Sequence, residues 1–261
     1  MLMKVLFIGD IIGRAGRRAV KELTPGLVIE HAIDLVIANG ENAAGGFGIN
    51  PKCAKELYDC GVDLITTGNH IWDKKEIIPF LEEDHPIIRP GNYPPGSPGN
   101  SRYLLETAGG ERLTVINASG RVFMDSLDCP FRFLDSELEK VKKESPVILV
   151  DFHAEATSEK NAMGKYLDGR VSAIVGTHTH VQTADEKVMA GGTGYITDVG
   201  MTGATDSVIG MKADSPISKF LTGLPRSFEP AKGDIELQGV ALHIDSEIGK
   251  CISIERVKKK L

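Results

Sequence analysis

Apolar residues along the chain follow two patterns that alternate: short continuous runs and periodicities of three to four residues. Runs at residues 4–9, 35–39, 63–67, 113–118, 147–151 and 173–176 are rich in Val, Ile and Leu and too short for helices, so they predict buried strands. Helical spacing between and after them covers residues 14–29, 51–58, 74–82, 134–143 and 157–167. Pro51 stands where a first helical residue belongs, behind Asn50 as the cap. Beyond residue 176 alternation takes over, as in Val240, Leu242 and Ile244 against polar neighbours. It predicts antiparallel strands within 186–198 and 235–257. Residues 86–101, dense in Pro, Gly and Asn, predict a long loop, and 200–216 carries no period. The pattern is that of an α/β protein with two layered sheets and helices outside. No repeat or low-complexity linker divides it, so residues 1–261 are expected to form one domain.

Composition refines this picture modestly. The chain holds 29 Gly against 13 Pro, which suits many tight strand-to-helix turns. A formal charge of -6 argues against broad electrostatic binding to duplex nucleic acid but leaves room for cations in one cleft. Lys258, Lys259 and Lys260 make a short basic end, expected as a solvated tail. Cys53, Cys60, Cys129 and Cys251 lack C-x-x-C spacing and fit free thiols in a reducing compartment. The first apolar run stops at Gly9-Asp10, too short for a signal peptide or membrane span, so a cytoplasmic protein without a membrane partner is expected.

The candidate chemistry is positional. Strand after strand is followed by a residue able to bind metal or phosphate: Asp10, then Glu41 and Asn42, then Asn69 and His70, then His153, then His178 with His180. In an open parallel sheet the carboxyl ends of the strands share one edge, so these turns should converge on one crevice. Taken singly, Asp10 could cap a helix and Gly40-Glu41-Asn42 could be a plain turn. Gly9, Gly13 and Gly16 do not make the spacing of a dinucleotide site. Thr177-His178-Thr179-His180 is the sharpest cluster, because two imidazoles at i and i+2 face the same way while the backbone stays extended. With His153, three of the seven histidines fall at one expected edge, whereas His31, His85 and His243 do not. Carboxylate, amide and imidazole donors without thiolate favour iron, manganese or zinc. Their number exceeds what one tetrahedral ion needs, which points to two ions sharing a carboxylate and hence to phosphoester hydrolysis.

Gly9-Asp10-Ile11-Ile12-Gly13-Arg14, Gly40-Glu41-Asn42-Ala43-Ala44-Gly45-Gly46, Gly68-Asn69-His70, Asp151-Phe152-His153-Ala154-Glu155 and Gly176-Thr177-His178-Thr179-His180 resemble the motifs of the calcineurin-like metallophosphoesterase superfamily. Within it they are closest to the YmdB-like bacterial phosphodiesterases, as is Thr197-Asp198-Val199-Gly200-Met201-Thr202-Gly203. The usual Asp-x-His begins here as Asp10-Ile11-Ile12 and the usual Gly-Asp reads Gly40-Glu41, both as in the YmdB-like subgroup. The resemblance implies a four-layer α-β-β-α sandwich of two mixed sheets flanked by helices. It implies two divalent or trivalent transition-metal ions, iron first with manganese or zinc as alternatives, held by Asp10, Glu41, Asn42, Asn69, His153, His178 and His180. Glu41 would bridge the ions, Asn42 would replace the missing histidine, and His70 would stand beside them as proton donor. The implied substrates are small phosphodiesters, cyclic nucleotides such as 2′,3′-cyclic AMP, opened by a hydroxide bridging the ions. Gly45, Gly46, Phe47 and Thr202 are candidate substrate-binding positions on the rim. The competing expectation is a non-catalytic, metal-containing regulator that binds a nucleotide or RNA. A homo-oligomer is expected, as symmetric assemblies are common among soluble enzymes.

Overall fold

The computed structural model describes residues 1–141 and 144–261. The chain opens with β1 (Leu2–Ile8), β2 (Asp10–Ile11), α1 (Gly13–His31), β3 (Leu35–Asn39), α2 (Pro51–Asp59), β4 (Leu64–Thr66) and α3 (Ile77–Glu82). It continues through β5 (Arg102–Glu106), β6 (Arg112–Ser119), α4 (Pro130–Val141), β7 (Val147–His153), α5 (Thr157–Leu167), β8 (Ala173–Thr177), β9 (Lys187–Val188) and β10 (Gly194–Ile196). It closes with β11 (Met201–Ala204), α6 (Asp214–Thr222), β12 (Ile235–Asp245) and β13 (Lys250–Lys260).

Two mixed sheets result. The seven-stranded one runs β2-β11-β12-β1-β3-β4, with β13 also paired to β12. The six-stranded one runs β5-β6-β7-β8-β10-β9. β1, β3 and β4 are parallel neighbours, as are β6, β7, β8 and β10, so the carboxyl ends of each set share an edge.

Period-two alternation builds the layers. In β1, Met3, Val5 and Phe7 pack into the core between the sheets, against Val115, Leu149 and Val175 of the other sheet. Leu6 and Ile8 face the opposite way, onto Ala19, Val20, Ala54 and Leu57 of α1 and α2. In β7, Ile148, Val150 and Phe152 meet Leu134, Leu138 and Met163 of α4 and α5. The order helix, sheet, sheet, helix is the four-layer sandwich that the motifs imply.

The inner face changes character at the carboxyl edge. Leu35 and Ile37 are followed in the same phase by Asn39, Leu113 and Val115 by Asn117, Val147 and Leu149 by Asp151 and His153, and Ala173 and Val175 by Thr177. All five polar residues are fully buried. The strands that make the core therefore also carry the chemistry, two residues further on.

Asn50 caps α2 as expected, accepting the Cys53 N–H at 2.9 Å. Several expectations need correction. Within residues 186–198 the antiparallel expectation holds only for β9 against β10, joined by a turn in which Gly192 N–H donates to Met189 O; β10 runs parallel to β8. β11 lies at residues without a sequence period, α6 begins at the end of that stretch and runs beyond it, and β5 is an edge strand that the apolar runs did not mark. Lys258, Lys259 and Lys260 are not a tail but the end of β13, where Lys258 and Lys259 pair with Glu236 and Glu30. The helix expected at 134–143 begins at Pro130 and is described to Val141; its last two expected residues lie outside the described ones. Among the described residues no helix is long and apolar enough to cross a membrane.

Candidate metal centre

The strand-end residues do converge. Asp10 opens β2 and accepts the His178 N–H at 3.2 Å, joining turns 168 residues apart. Glu41 sits in the turn after β3, with its N–H on Asn39 Oδ1 at 3.1 Å. Its Oε1 lies 3.2 Å from His153 Nε2 and 3.0 Å from Asn42 Nδ2, and its Oε2 accepts the His70 N–H at 3.1 Å. His153 Nε2 also lies 2.9 Å from Asn69 Oδ1 and 3.1 Å from His178 Nδ1. On the other side of Glu41, His180 Nε2 lies 3.7 Å from Asp10 Oδ1 and 3.3 Å from Asn42 Nδ2.

Two donor triads emerge: Glu41 with His153 and His178, and Asp10 with Glu41 and His180, the ligand atoms of each within 4.8 Å of one another. Glu41 belongs to both. His178 and His180 reach these groups by a route different from the extended backbone expected of them. β8 ends at Thr177, and both histidines take left-handed conformations, φ 99° and 64°, so they approach Glu41 from two sides. Such φ values are uncommon outside glycine and persist where surroundings over-determine them.

The electrostatics are those of a site built for cations. Burial disfavours charge on Glu41, but the His153 imidazole beside it and the His70 N–H outweigh burial and bring the carboxyl down to about 2. His153 moves the other way against burial, up to about 9, held charged by Glu41 and Asp10. Burial, with charge on His153 next, drives His178 down to about 3. Burial raises Asp10 despite the facing His180 and His153. Asp10 Oδ1 and Asn42 Oδ1 are buried and have no hydrogen-bond partner among the described residues. Unsatisfied buried oxygens beside such donors are costly unless an ion takes them up, so the residues fit bound cations.

The surrounding shell orients these donors. Thr177 Oγ1 donates to Asp151 Oδ1 at 2.7 Å, so its one proton is committed, and His153 Nδ1, 2.9 Å away, must donate to it. That leaves His153 Nε2 facing the cluster. His180 Nδ1 is likewise occupied by Ile209 O at 3.0 Å, and His178 Nε2 by Glu155 Oε2 at 3.0 Å. Burial lifts the Asp151 carboxyl to about 6. Asp151, Glu155 and Thr177 stand in the motifs quoted above but were given no role there, and Ile209 was not singled out from sequence. Counting by two from Leu149 points Asp151 to the inner face, whereas nothing local marks Ile209.

His70 stands at the edge of the cluster, half-buried, with Nδ1 2.9 Å from Asp73 Oδ2 and its ring edge-on to Phe47 at 5.3 Å. It lines a cavity of about 410 Å³ together with Glu41, Asn42, His178 and His180. Gly46 and Phe47 also line it. Gly45 instead borders the neighbouring depression of Arg14 and Pro230. Thr202 is not a rim residue: it is fully buried in β11, its hydroxyl 3.3 Å from Gln238 O, because β11 pairs with β2 and β12 inside the sheet.

Residues 6–257 match the model of a family described as YmdB-like protein. A 2′,3′-cyclic-nucleotide 2′-phosphodiesterase of Bacillus subtilis (strain 168) is 48% identical over 255 residues, covering 98% of this chain and 96% of that protein. A crystal structure of a hypothetical protein from Thermus thermophilus superposes with a TM-score of 0.93 at 46% identity, covering 99% of both chains. The structure of a novel phosphatase from Mycoplasma pneumoniae does so with a TM-score of 0.94 at 34% identity, covering 100% of this chain and 94% of that one.

Proposed function

The chain belongs to the YmdB-like family, and on that footing we propose that it is a metal-dependent phosphodiesterase that opens cyclic nucleotides such as 2′,3′-cyclic AMP. The observation that carries this reading is the membership of Glu41 in both donor triads, which suits a carboxylate shared by two ions. Asn69, His153 and His178 would complete one ion's set, and Asp10, Asn42 and His180 the other's. The hard and borderline donors suit iron, with manganese or zinc able to replace it. Ions bound there would neutralise charge on the phosphoryl oxygens and lower the pKa of water from 15.7 to ~7.

The chain's own groups do the rest. Asp151, through Thr177, keeps the His153 proton on Nδ1, and Ile209 O does the same for His180, so each ring presents its other nitrogen to the centre. Asp73 holds His70 by Nδ1, so that in its imidazolium form this cavity-lining side chain can give the Nε2 proton to the departing ribose oxygen and keep the one on Nδ1. The full chain acts as one metallophosphoesterase domain, since both sheets contribute donors.

The test is metal analysis of purified protein alongside hydrolysis of 2′,3′-cyclic AMP, with chelator as control. Metal-dependent turnover is expected. No turnover after reconstitution with iron, manganese and zinc in turn would end the reading.

A further inference from the structure

The cavity beside the metal centre has two unlike halves. One is the donor cluster with His70; the other is an apolar wall formed by Phe47, Ile209, Met211, Pro216, Phe220 and Phe228. Its volume, about 410 Å³, suits a small organic ligand rather than a phosphate alone. The diester phosphorus must lie at the donors, so whatever it is attached to must extend over this wall.

The wall has a fixed part and a free part. Phe47 and Phe228 pack on the buried cluster of Ile12, Met201 and Met211. Ile209 is tied to the metal centre itself, because its carbonyl accepts from His180 Nδ1 at 3.0 Å, which sets the distance between wall and donors. Ile209 keeps φ 46°, uncommon for a β-branched residue, to make that contact. Phe220, by contrast, projects from α6 with its side chain 84% exposed, although it borders the cavity. α6 buries only Pro216 of its nine residues. An aromatic ring left in solvent at the mouth of a reactive cleft gains burial when a flat ligand enters.

We propose that this wall is a nucleobase subsite, with Phe220 stacking on the base and Phe47 and Phe228 forming its floor, so that segment 208–228 selects nucleosidic diesters over smaller cyclic phosphates. Stacking on aromatic side chains tolerates any base because every base has a π face, so the subsite discriminates for a base more than among bases. Lys219, whose Nζ lies 5.3 Å from the Phe228 ring centroid, adds a cation on the same wall for an anionic nucleotide. The inference rests on the phosphodiesterase reading above for the place of the phosphate, but not for the affinity of the wall for a base.

The experiment compares two diesters with the same five-membered cyclic phosphate, 2′,3′-cyclic AMP and glycerol 1,2-cyclic phosphate, on metal-loaded protein, Phe220→Ala and Phe228→Leu. Equilibrium dialysis with adenosine runs in parallel. The kcat/KM ratio between the diesters should fall about tenfold in Phe220→Ala, equivalent to about 1.4 kcal/mol, mainly through KM for the nucleotide, and adenosine binding should weaken in step. Phe228→Leu should shift both in the same direction. A ratio and an adenosine affinity unchanged within twofold in both variants would overturn the subsite. Wild-type protein that cleaves neither diester refutes the phosphodiesterase reading alone. The dialysis then decides the subsite, saturable binding lost in Phe220→Ala keeping it and absence of binding discarding it.

Discussion

Lys160 Nζ lies 2.7 Å from Asp198 Oδ2, with both side chains almost wholly excluded from water. The pair grips the turn that carries two of the candidate donors: Lys160 donates to Thr177 O at 2.7 Å, and Asp198 accepts from Thr179 N at 3.1 Å and Thr179 Oγ1 at 2.7 Å. His178 and His180 flank Thr179 in left-handed conformations, and this clamp is what over-determines them. Removing one member leaves a buried charge unpaired, so Lys160→Met should lose ~3–5 kcal/mol of stability. Urea unfolding checks this, and a midpoint unchanged from wild type would show that the pair does not hold the turn.

Gly68 permits a close approach in the site. A Cβ built there would overlap the imidazole of His153 and the carboxylate of Glu41. Gly68→Ala should therefore abolish metal uptake while circular dichroism stays near wild type. Gly26, in α1 with open space around it, offers the contrast: Gly26→Ala should raise stability by ~0.5–1 kcal/mol.

Thr177 fixes the tautomer of His153 by donating its one hydroxyl hydrogen bond to Asp151. Thr177→Val keeps the shape and removes the hydroxyl, and metal affinity should fall ~10- to 100-fold, as for other partners that orient ligands. Thr177→Ser should restore most of it. Chelator competition measures both, and equal affinity in the Val variant would dismiss the relay.

Metal should stabilise the folded chain, because the donors come together only when both sheets have formed. At a free concentration 100-fold above Kd the gain is ~2.7 kcal/mol, visible as a rise in Tm with manganese or zinc. Glu41→Gln should bind fewer ions per chain and show a smaller rise. Two full equivalents in that variant would argue against a shared carboxylate.

His70→Ala should keep both ions and lose ~10²- to 10⁴-fold in kcat on a diester with a poor leaving group, the usual scale of a proton donor. The loss should shrink on bis-p-nitrophenyl phosphate, whose leaving group needs no proton. An equal loss on both would assign His70 to positioning instead.

How much of this was legible beforehand follows from locality. Asp10, Glu41, Asn42, Asn69, His153, His178 and His180 stand directly after apolar runs, so a parallel-sheet reading gathers them without any knowledge of packing. Their relative geometry was less accessible. The left-handed turns at His178 and His180 depend on Lys160 and Asp198, which are distant in sequence from each other and from Asp10. Thr202 looked like a loop residue because 200–216 lacks a period; β11 forms there only through pairing with β2 and β12. α6 escaped although Ile217, Phe220 and Leu221 stand three and four apart, because that stripe is short and begins where the stretch without a period ends.

The inner-face phase that runs from Val147 and Leu149 to Asp151 and His153 ties assembly to ion capture. A slip of β7 by one residue against β6 or β8 would turn His153 toward the helices and bring Phe152 to Glu41. Misregistered chains would thus be blind to the ions, and those with the right pairing would be drawn down by mass action as they bind. Scarcity of metal during synthesis would then surface as a shortfall of correctly paired protein, not merely of active protein.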